Sequence, residues 1–173
     1  MNSVFISRII RACKLEANLY EEVEADKNAT LQAALVVVLS SLAAGVGALS
    51  MGASNFLMAP ILSLISWYIW AYLIYFIGAK LFPEANTKAD HGQLLRTIGF
   101  SSAPGLIRVF GLTPELMSIT FIGGGIWMLV AMVIAVRQAL DYQSTWRAMG
   151  VVVIGFLVQA IVLIILLRIF GPA

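Results

Sequence analysis

The chain has 173 residues, of which 61% are hydrophobic and only 12% are charged, against roughly 25% charged residues in an ordinary soluble domain. No charged residue occurs at 28–79, 116–136 or 148–167. A bilayer core about 30 Å thick needs roughly 20 apolar helical residues. The sequence therefore predicts an all-α integral membrane protein, disfavours a soluble globule and excludes disordered, collagen-like and disulfide-framework proteins. The formal net charge of +2 is too small to propose nucleic acid as a partner.

Residues 1–28 are predicted to form a cytoplasmic, amphipathic N-terminal helix. Apolar residues recur at three- and four-residue steps from Phe5 to Val23, beside Arg8 and Arg11, which is typical of a helix with one apolar face. Two interpretations remain open. The apolar stripe either lies on membrane lipids, with its basic half near anionic headgroups, or packs against the cytoplasmic face of the protein itself.

Residues 29–173 are predicted to form a membrane domain of five transmembrane helices. The apolar runs place these spans at 29–49, 60–79, 93–112, 119–140 and 149–170. Asp26 and Asn28 are suitable capping residues ahead of the first span. The small polar residues of 50–55 suggest a short loop, so the first two spans should form an antiparallel hairpin.

The third span, 93–112, is the difficult one. Its nine strongly apolar residues contribute roughly 3 to 5 kcal/mol to insertion, while Arg108 costs about 3 kcal/mol. Pro104 removes a backbone donor, and Gly99 and Gly105 loosen the helix further. This segment therefore either spans as a kinked helix surrounded by protein or dips into the membrane and returns.

The distribution of Lys and Arg orients the N-terminus but not the C-terminus. With five spans, nine basic residues lie on the cytoplasmic side and two lie outside, and with four spans the ratio is again nine to two. The N-terminus is therefore expected in the cytoplasm in both cases. Charge alone leaves the side of the C-terminus open.

The sequence contains no recognisable enzyme motif, so we expect no catalytic residues and no cofactor. Cys13 is the only cysteine and His91 the only histidine, and neither has the neighbours that a metal site requires. The run Gly123–Gly125 is interpreted as a packing device that lets another backbone approach. Trp67 and Trp70 either pack against neighbouring helices or line a pocket for an apolar ligand.

Polar residues inside a membrane are functional candidates by default. Ser63 and Ser66 belong to this set. We expect a functional site at the kink of the third span, and the six residues predicted for it are Gly99, Ser101, Ser102, Pro104, Arg108 and, from the fifth span, Gln159. Arg108 is expected to extend outward to the interface, with Glu115 as an ion-pair partner across the following turn. A polar path exists only if Ser101, Ser102, Arg108 and Gln159 face inward together.

The order of these features resembles the Yip family, small membrane proteins named for their interaction with Ypt/Rab GTPases. The residues that carry the resemblance are 19–23, 76–82, 93–104, Trp127, 137–140 and 147–148, and Gly-Phe-Ser-Ser-Ala-Pro at 99–104 is the most distinctive stretch. The resemblance implies five spans, a cytoplasmic N-terminus, a C-terminus on the far side and no enzyme activity. The N-terminal segment of 28 residues resembles that of prokaryotic members, which puts a GTPase partner in doubt.

The sequence thus favours a non-enzymatic protein of Yip type in a bacterial inner membrane. It would act in membrane organisation, scaffolding or partner binding, with membrane lipids as partners and with a protein partner or a homo-oligomer left open. The alternative is a transporter-like or lipid-handling protein. A polar path through the bundle would favour this alternative.

Overall fold

The computed structural model describes residues 3–49 and 58–170, which are helical with short connections. Seven α-helices are named in chain order: α1 (Ser3–Cys13), α2 (Ala17–Ala25), α3 (Ala29–Gly47), α4 (Met58–Tyr75), α5 (His91–Phe100), α6 (Pro114–Ala139) and α7 (Thr145–Phe170). A π-helical segment, Phe76–Leu81, continues α4, and a 3₁₀ helix, Ala103–Phe110, follows α5. The loop predicted at 50–55 lies outside the described residues.

Four of these helices are long and apolar enough to cross a membrane: α3, α4 with its π-helical extension, α6, and α7 over Thr145–Val162. They correspond to four of the five predicted spans. The predicted third span is instead a kinked segment, 91–110, made of α5, a turn at Ser101 and Ser102, and the 3₁₀ helix. The five-span prediction is therefore confirmed for the four long helices only.

Local sequence accounts for the ends of the elements around the kinked segment. Asp90 and Gln93 form a reciprocal capping box at the start of α5, which satisfies two backbone N–H groups that the helix cannot. Thr113 caps α6 and Pro114 occupies its first turn, where a missing N–H costs nothing. The capping role expected for Asn28 is wrong, because its side chain makes no cap hydrogen bond and its backbone N–H binds Asp26.

The N-terminal region forms two helices, not the single helix that its periodicity predicted. Leu15 has a φ of 62° between them, and ion pairs from Arg8 and Arg11 of α1 to Glu22 of α2 hold the two helices together. Phe5 on α1, together with Leu19, Tyr20 and Val23 on α2, is buried in a core shared with α3, Phe100 and Ala135. The apolar stripe therefore packs on the protein, which favours the second of the two interpretations.

Arg96 of α5 links this helix to the C-terminal end of α2. Its guanidinium donates to the carbonyl oxygens of Val23 and Glu24 in the last turn of α2, and the side chain is almost completely buried. The carbonyl groups at a helix C-terminus lack intrahelical partners and carry partial negative charge. Arg96 therefore satisfies the end of α2 and fixes α5 beneath it.

Candidate functional site

A cavity of about 270 Å³ lies among α3, α4, the kinked segment, α6 and α7. Its wall carries five serines, one arginine and one glutamine: Ser40, Ser41, Ser63, Ser66, Ser102, Arg108 and Gln159. The other lining residues are apolar or aromatic, and none of the lining residues is acidic. The cavity opens to the outer surface at the exposed residues Ser66, Phe156 and Gln159. It therefore combines hydrogen-bonding groups and a positive charge with apolar walls.

The structure brings together three of the six residues predicted for the site. Ser102, Arg108 and Gln159 line the cavity from three different parts of the chain. Ser101 does not line it. That side chain is 1% exposed, and its hydroxyl donates to the carbonyl oxygen of Ile98 at 2.7 Å, so Ser101 satisfies backbone at the kink.

Gly99 and Pro104, the other two predicted residues, with Gly105, shape the kinked segment. A Cβ at Gly99 would lie 2.7 Å from the Cβ of Ala33, and a Cβ at Gly105 would meet the hydroxyl of Ser40. At the far end of α3, a Cβ at Gly47 would meet the carbonyl oxygen of Arg108.

These three contacts fix the direction of the kinked segment. As the chain advances from 99 to 108, its neighbours on α3 advance from Ala33 to Gly47. The segment therefore runs parallel to α3, from its second turn to its last. Glycines make this close approach possible, and Pro104 stands where the 3₁₀ helix begins.

Arg108 points into the bundle and not outward to the interface, so the sequence-based expectation is wrong. Its guanidinium lies 5.3 Å from the centre of the Phe121 ring. A Cβ at Gly125 would lie 3.6 Å from its Nη2 atom. Glu115 is exposed on the first turn of α6, and the ion pairs among the described residues do not join it to Arg108.

The Nε atom of Arg108 is buried and has no hydrogen-bond partner within the described part of the chain. A buried donor without a partner costs about 1 to 3 kcal/mol, and more where the group is charged. The interaction with Phe121 offsets part of this cost, since a cation over an aromatic ring is attracted by about 0.5 to 2 kcal/mol. Arg108 thus keeps unsatisfied hydrogen-bonding capacity beside the cavity.

The glycine run of α6 makes room for this side chain. A Cβ at Gly124 would lie 3.0 Å from Ile107 and 3.7 Å from Nε of Arg108, whereas a Cβ at Gly123 would meet nothing within 4 Å. The run was predicted to admit another backbone. It instead admits the side chains of the 3₁₀ helix, and the backbone approach occurs at Gly47.

Trp67 and Trp70 both pack and line the cavity. The indole of Trp67 donates to the carbonyl oxygen of Leu95 at 3.0 Å, and that of Trp70 lies 3.3 Å from the sulfur of Met132. Their partners are thus a backbone carbonyl and a thioether. Both rings also form part of the cavity wall, so these tryptophans pack against neighbouring helices and line a pocket at the same time.

A second, apolar space of about 270 Å³, the groove, lies beside the cavity between α4 and α7. Ser66, Trp70 and Gln159 line both spaces. Elsewhere the groove is lined by apolar and aromatic side chains, and several of them are about half exposed on the outer surface of the bundle: Ile69, Tyr72, Phe76 and Val162. The groove therefore adjoins the polar cavity and opens onto the surface that faces lipid.

Sequence reasoning missed the contribution of α3 to this site. Ser40 and Ser41 line the cavity, but neither is among the six residues predicted for the site. Two adjacent hydroxyl residues at the centre of an apolar span were the available signal. Met128, which lines the cavity beside Gly105, left no comparable signal because methionine is common in apolar helices.

His91 lies at the start of α5 and not in a free polar loop. Its ring contacts three tyrosines of α4, with centroid distances of 4.9, 5.6 and 6.4 Å to Tyr68, Tyr72 and Tyr75. Among the residues that the structure describes, no group of His, Cys, Asp or Glu is arranged to hold a metal ion. Aromatic packing is what the structure shows for this histidine.

The fold and the site define an integral membrane protein with several apolar helices around a polar cavity. A family model described as the Yip1 domain matches residues 18–167. The chain therefore belongs to the Yip family, as its sequence motifs indicated. Comparison with curated proteins and with solved structures found no match.

Proposed function

We propose that this protein is a non-enzymatic, lipid-handling component of the membrane that takes a lipid into its helical bundle. The observation that carries the proposal is the convergence of Ser102, Arg108 and Gln159 on one cavity that adjoins an apolar groove. Ligand sites are concave and mostly apolar, with a few polar groups that fix orientation. The organising role expected of a Yip-type protein would then act through bound lipid.

The same geometry argues against a path for cations. Among the residues that the structure describes, no acidic residue lines the cavity, and carboxylates are the usual relay groups of such paths. Below the cavity, the bundle is filled by two clusters of buried residues, among them Leu94, Phe100, Val136 and Leu140. A lateral exchange of ligand with the bilayer fits these features better than transport across it.

We further propose five membrane crossings, with the N-terminus in the cytoplasm and the C-terminus outside, in a bacterial inner membrane. The fifth crossing would be the kinked segment, because it follows α3 from its second turn to Gly47. The cytoplasmic position of the N-terminus is supported by the nine-to-two distribution of Lys and Arg between the two sides of the membrane. An irregular crossing of this kind is tolerated where protein surrounds it, and residues 94–101 are buried.

Photolabelling of the full chain in vesicles tests the lipid-handling proposal. A phospholipid with a diazirine in its acyl chain should label the groove at Val158 and Val162, and excess unlabelled lipid should remove this labelling. Exposed residues on another face, such as Ile122, should be labelled without saturation. The variant Val158→Trp should abolish the saturable labelling, and its control Val153→Trp, on a residue that lines neither space, should not.

Labelling that follows exposure alone, with no saturable fraction at the groove, would contradict lipid binding in the bundle. It would leave scaffolding through the outer surfaces as the better account of this protein.

A further inference from the structure

We propose that the cavity and the groove together form a site for one anionic lipid, with Arg108 at the headgroup and an acyl chain between α4 and α7. The inference rests on the proposed lipid-handling function and adds the headgroup charge and the orientation of the ligand.

The charge of Arg108 is the first reason for an anionic headgroup. Burying a charge in an apolar medium is expensive unless it is paired, yet no carboxylate from 3–49 or 58–170 lines this cavity. Of the polar groups on Arg108, Nε is buried without a partner among the described residues. A phosphate or other oxyanion would supply both the counter-charge and the acceptor, and charge-assisted hydrogen bonds of this kind are the strong ones.

The depth of Arg108 defines where the headgroup would lie. A Cβ at Gly125 would lie 3.6 Å from the Nη2 atom of Arg108. Gly125 is eleven residues from Pro114, the first residue of α6, which corresponds to about 16.5 Å of helix. The anionic group would therefore lie near the middle of the bundle, and the lipid would be drawn into the cavity from the bilayer.

The groove accounts for the other half of the ligand. Along α4 its lining runs from Ser66 to Phe76, which corresponds to about 15 Å of helix, and along α7 it runs from Val158 to Val162, about 6 Å. An acyl chain would therefore contact both walls over part of its length and α4 alone over the rest. A free anion would use the cavity but would leave this adjoining apolar surface without a role.

The junction of the two spaces carries the groups that suit the middle of a lipid. Ser66 and Gln159 line both the cavity and the groove, so a hydroxyl and an amide are available between Arg108 and the apolar walls. Ester and glycerol oxygens of a lipid lie between its headgroup and its chains. The order of cation, hydrogen-bonding groups and apolar groove matches the order of groups along such a molecule.

Binding by the full chain in a neutral detergent can be measured by native mass spectrometry with three probes. Oleoyl-lysophosphatidylglycerol carries the tail and the anionic headgroup, mono-oleoylglycerol carries the same tail without charge, and inorganic phosphate carries the charge without a tail. We expect the first probe to bind at least tenfold more tightly than the second. We expect no retained binding of the third.

Variants separate the headgroup from the tail. Arg108→Gln should remove the preference for the anionic lipid and leave mono-oleoylglycerol binding unchanged, whereas Arg108→Lys should keep part of that preference. The matched control Arg168→Gln, at the exposed arginine of α7, should change neither. If Arg108→Gln does not fold, the Lys variant and Val158→Trp, which should weaken both lipids, still test the site.

Each other outcome has a defined meaning. Equal binding of both lipids to the wild type and to Arg108→Gln would overturn the anionic headgroup while lipid binding in the bundle stands. Tight binding of phosphate that competes with the lysolipid would overturn the lipid as the source of the anion. Failure of both lipids to bind would overturn the proposed function itself.

Discussion

The indole N–H of Trp127 donates a hydrogen bond of 2.9 Å to the carbonyl oxygen of Cys13. Cys13 is the last residue of α1, and Trp127 lies at the middle of α6, which runs from Pro114 to Ala139. The end of α1 therefore reaches the central part of a membrane-spanning helix. This contact makes α1 a part of the bundle and not a separate helix on the membrane surface.

Truncation of Phe5 should undock α1. Phe5 is buried in the core beside Phe100, so Phe5→Ala should destabilise the protein by about 3 kcal/mol. Hydrogen exchange across α1 should become correspondingly faster. In the matched control Ile6→Ala the change should be small, because Ile6 is 44% exposed; equal effects of the two substitutions would contradict the packing of this face.

Lowering the pH should weaken the attachment of α1 to α2. Hydrogen bonds from Arg11 and then from Arg8 lower the pKa of Glu22 below its ordinary value of 4.5. A lowered carboxyl pKa stabilises the folded form above the ordinary pKa, and this stabilisation is lost as the pH falls through the folded pKa. Thermal unfolding followed by circular dichroism should therefore show a decrease below about pH 4.5.

The variant Glu22→Gln tests the origin of this decrease. Its effect at neutral pH should be no more than about 1 kcal/mol, because the side chain of Glu22 is 40% exposed and exposed ion pairs contribute little. The acid-dependent decrease should become smaller in this variant. An unchanged profile would assign the effect to other carboxylates.

Glu24 should have the opposite pH dependence. Burial, and then the nearby charge of Asp141, raise the pKa of Glu24 to about 7. The folded form therefore binds a proton that the unfolded form has lost between pH 4.5 and about 7, so stability falls as the pH rises through this window. Glu24→Gln should raise the melting temperature at pH 8 and have little effect at pH 4.5.

The control for Glu24→Gln is Glu115→Gln, at an exposed residue of α6. It should leave the melting temperature unchanged at both pH values. A melting temperature of Glu24→Gln that moves equally at pH 4.5 and pH 8 would show that the effect arises from packing of the amide and not from titration.

The parts of this fold that could be predicted are those that depend on the sequence of a single segment. The four long helices follow from uninterrupted apolar runs, a property of each segment alone. The break at Leu15 could not be read from the periodicity, because apolar spacing continues through it from Ala12 to Leu19. Similarly, Pro104 predicts a kink but not that the following residues form a 3₁₀ helix.

The site was predicted less well because its assembly is not local. Ser102, Arg108 and Gln159 were selected as polar residues in apolar surroundings, and they do line one cavity. The inward direction of Arg108 depends on space provided by Gly124 and Gly125 on another helix. No property of the 3₁₀ helix alone carries this information, so the sequence favoured the outward orientation.

Fusions with a reporter that is active only outside the cytoplasm test the five proposed crossings. Fusions after Leu112 and after Ala173 should be active, and a fusion after Gln143 should be inactive, because the kinked segment would carry the chain across once more. A fusion after Asn86 should be inactive in either topology and serves as a control. The reverse pattern at Leu112 and Gln143 would mean that the kinked segment returns to the side on which it began.

Enlargement of Gly99 should separate the kinked segment from α3. A Cβ at this position would lie 2.7 Å from the Cβ of Ala33 and 3.1 Å from its carbonyl oxygen, so neither side can yield without a backbone shift. Gly99→Ala should therefore destabilise the protein by about 1 to 3 kcal/mol, as overpacking typically does.

Gly123→Ala is the matched control, since its added methyl group would meet nothing within 4 Å and alanine favours a helix by up to about 1 kcal/mol over glycine. Thermal unfolding in the same detergent should show a lower melting temperature for the first variant and an unchanged or higher one for the second. Equal stability of the two variants would contradict the close approach between the kinked segment and α3.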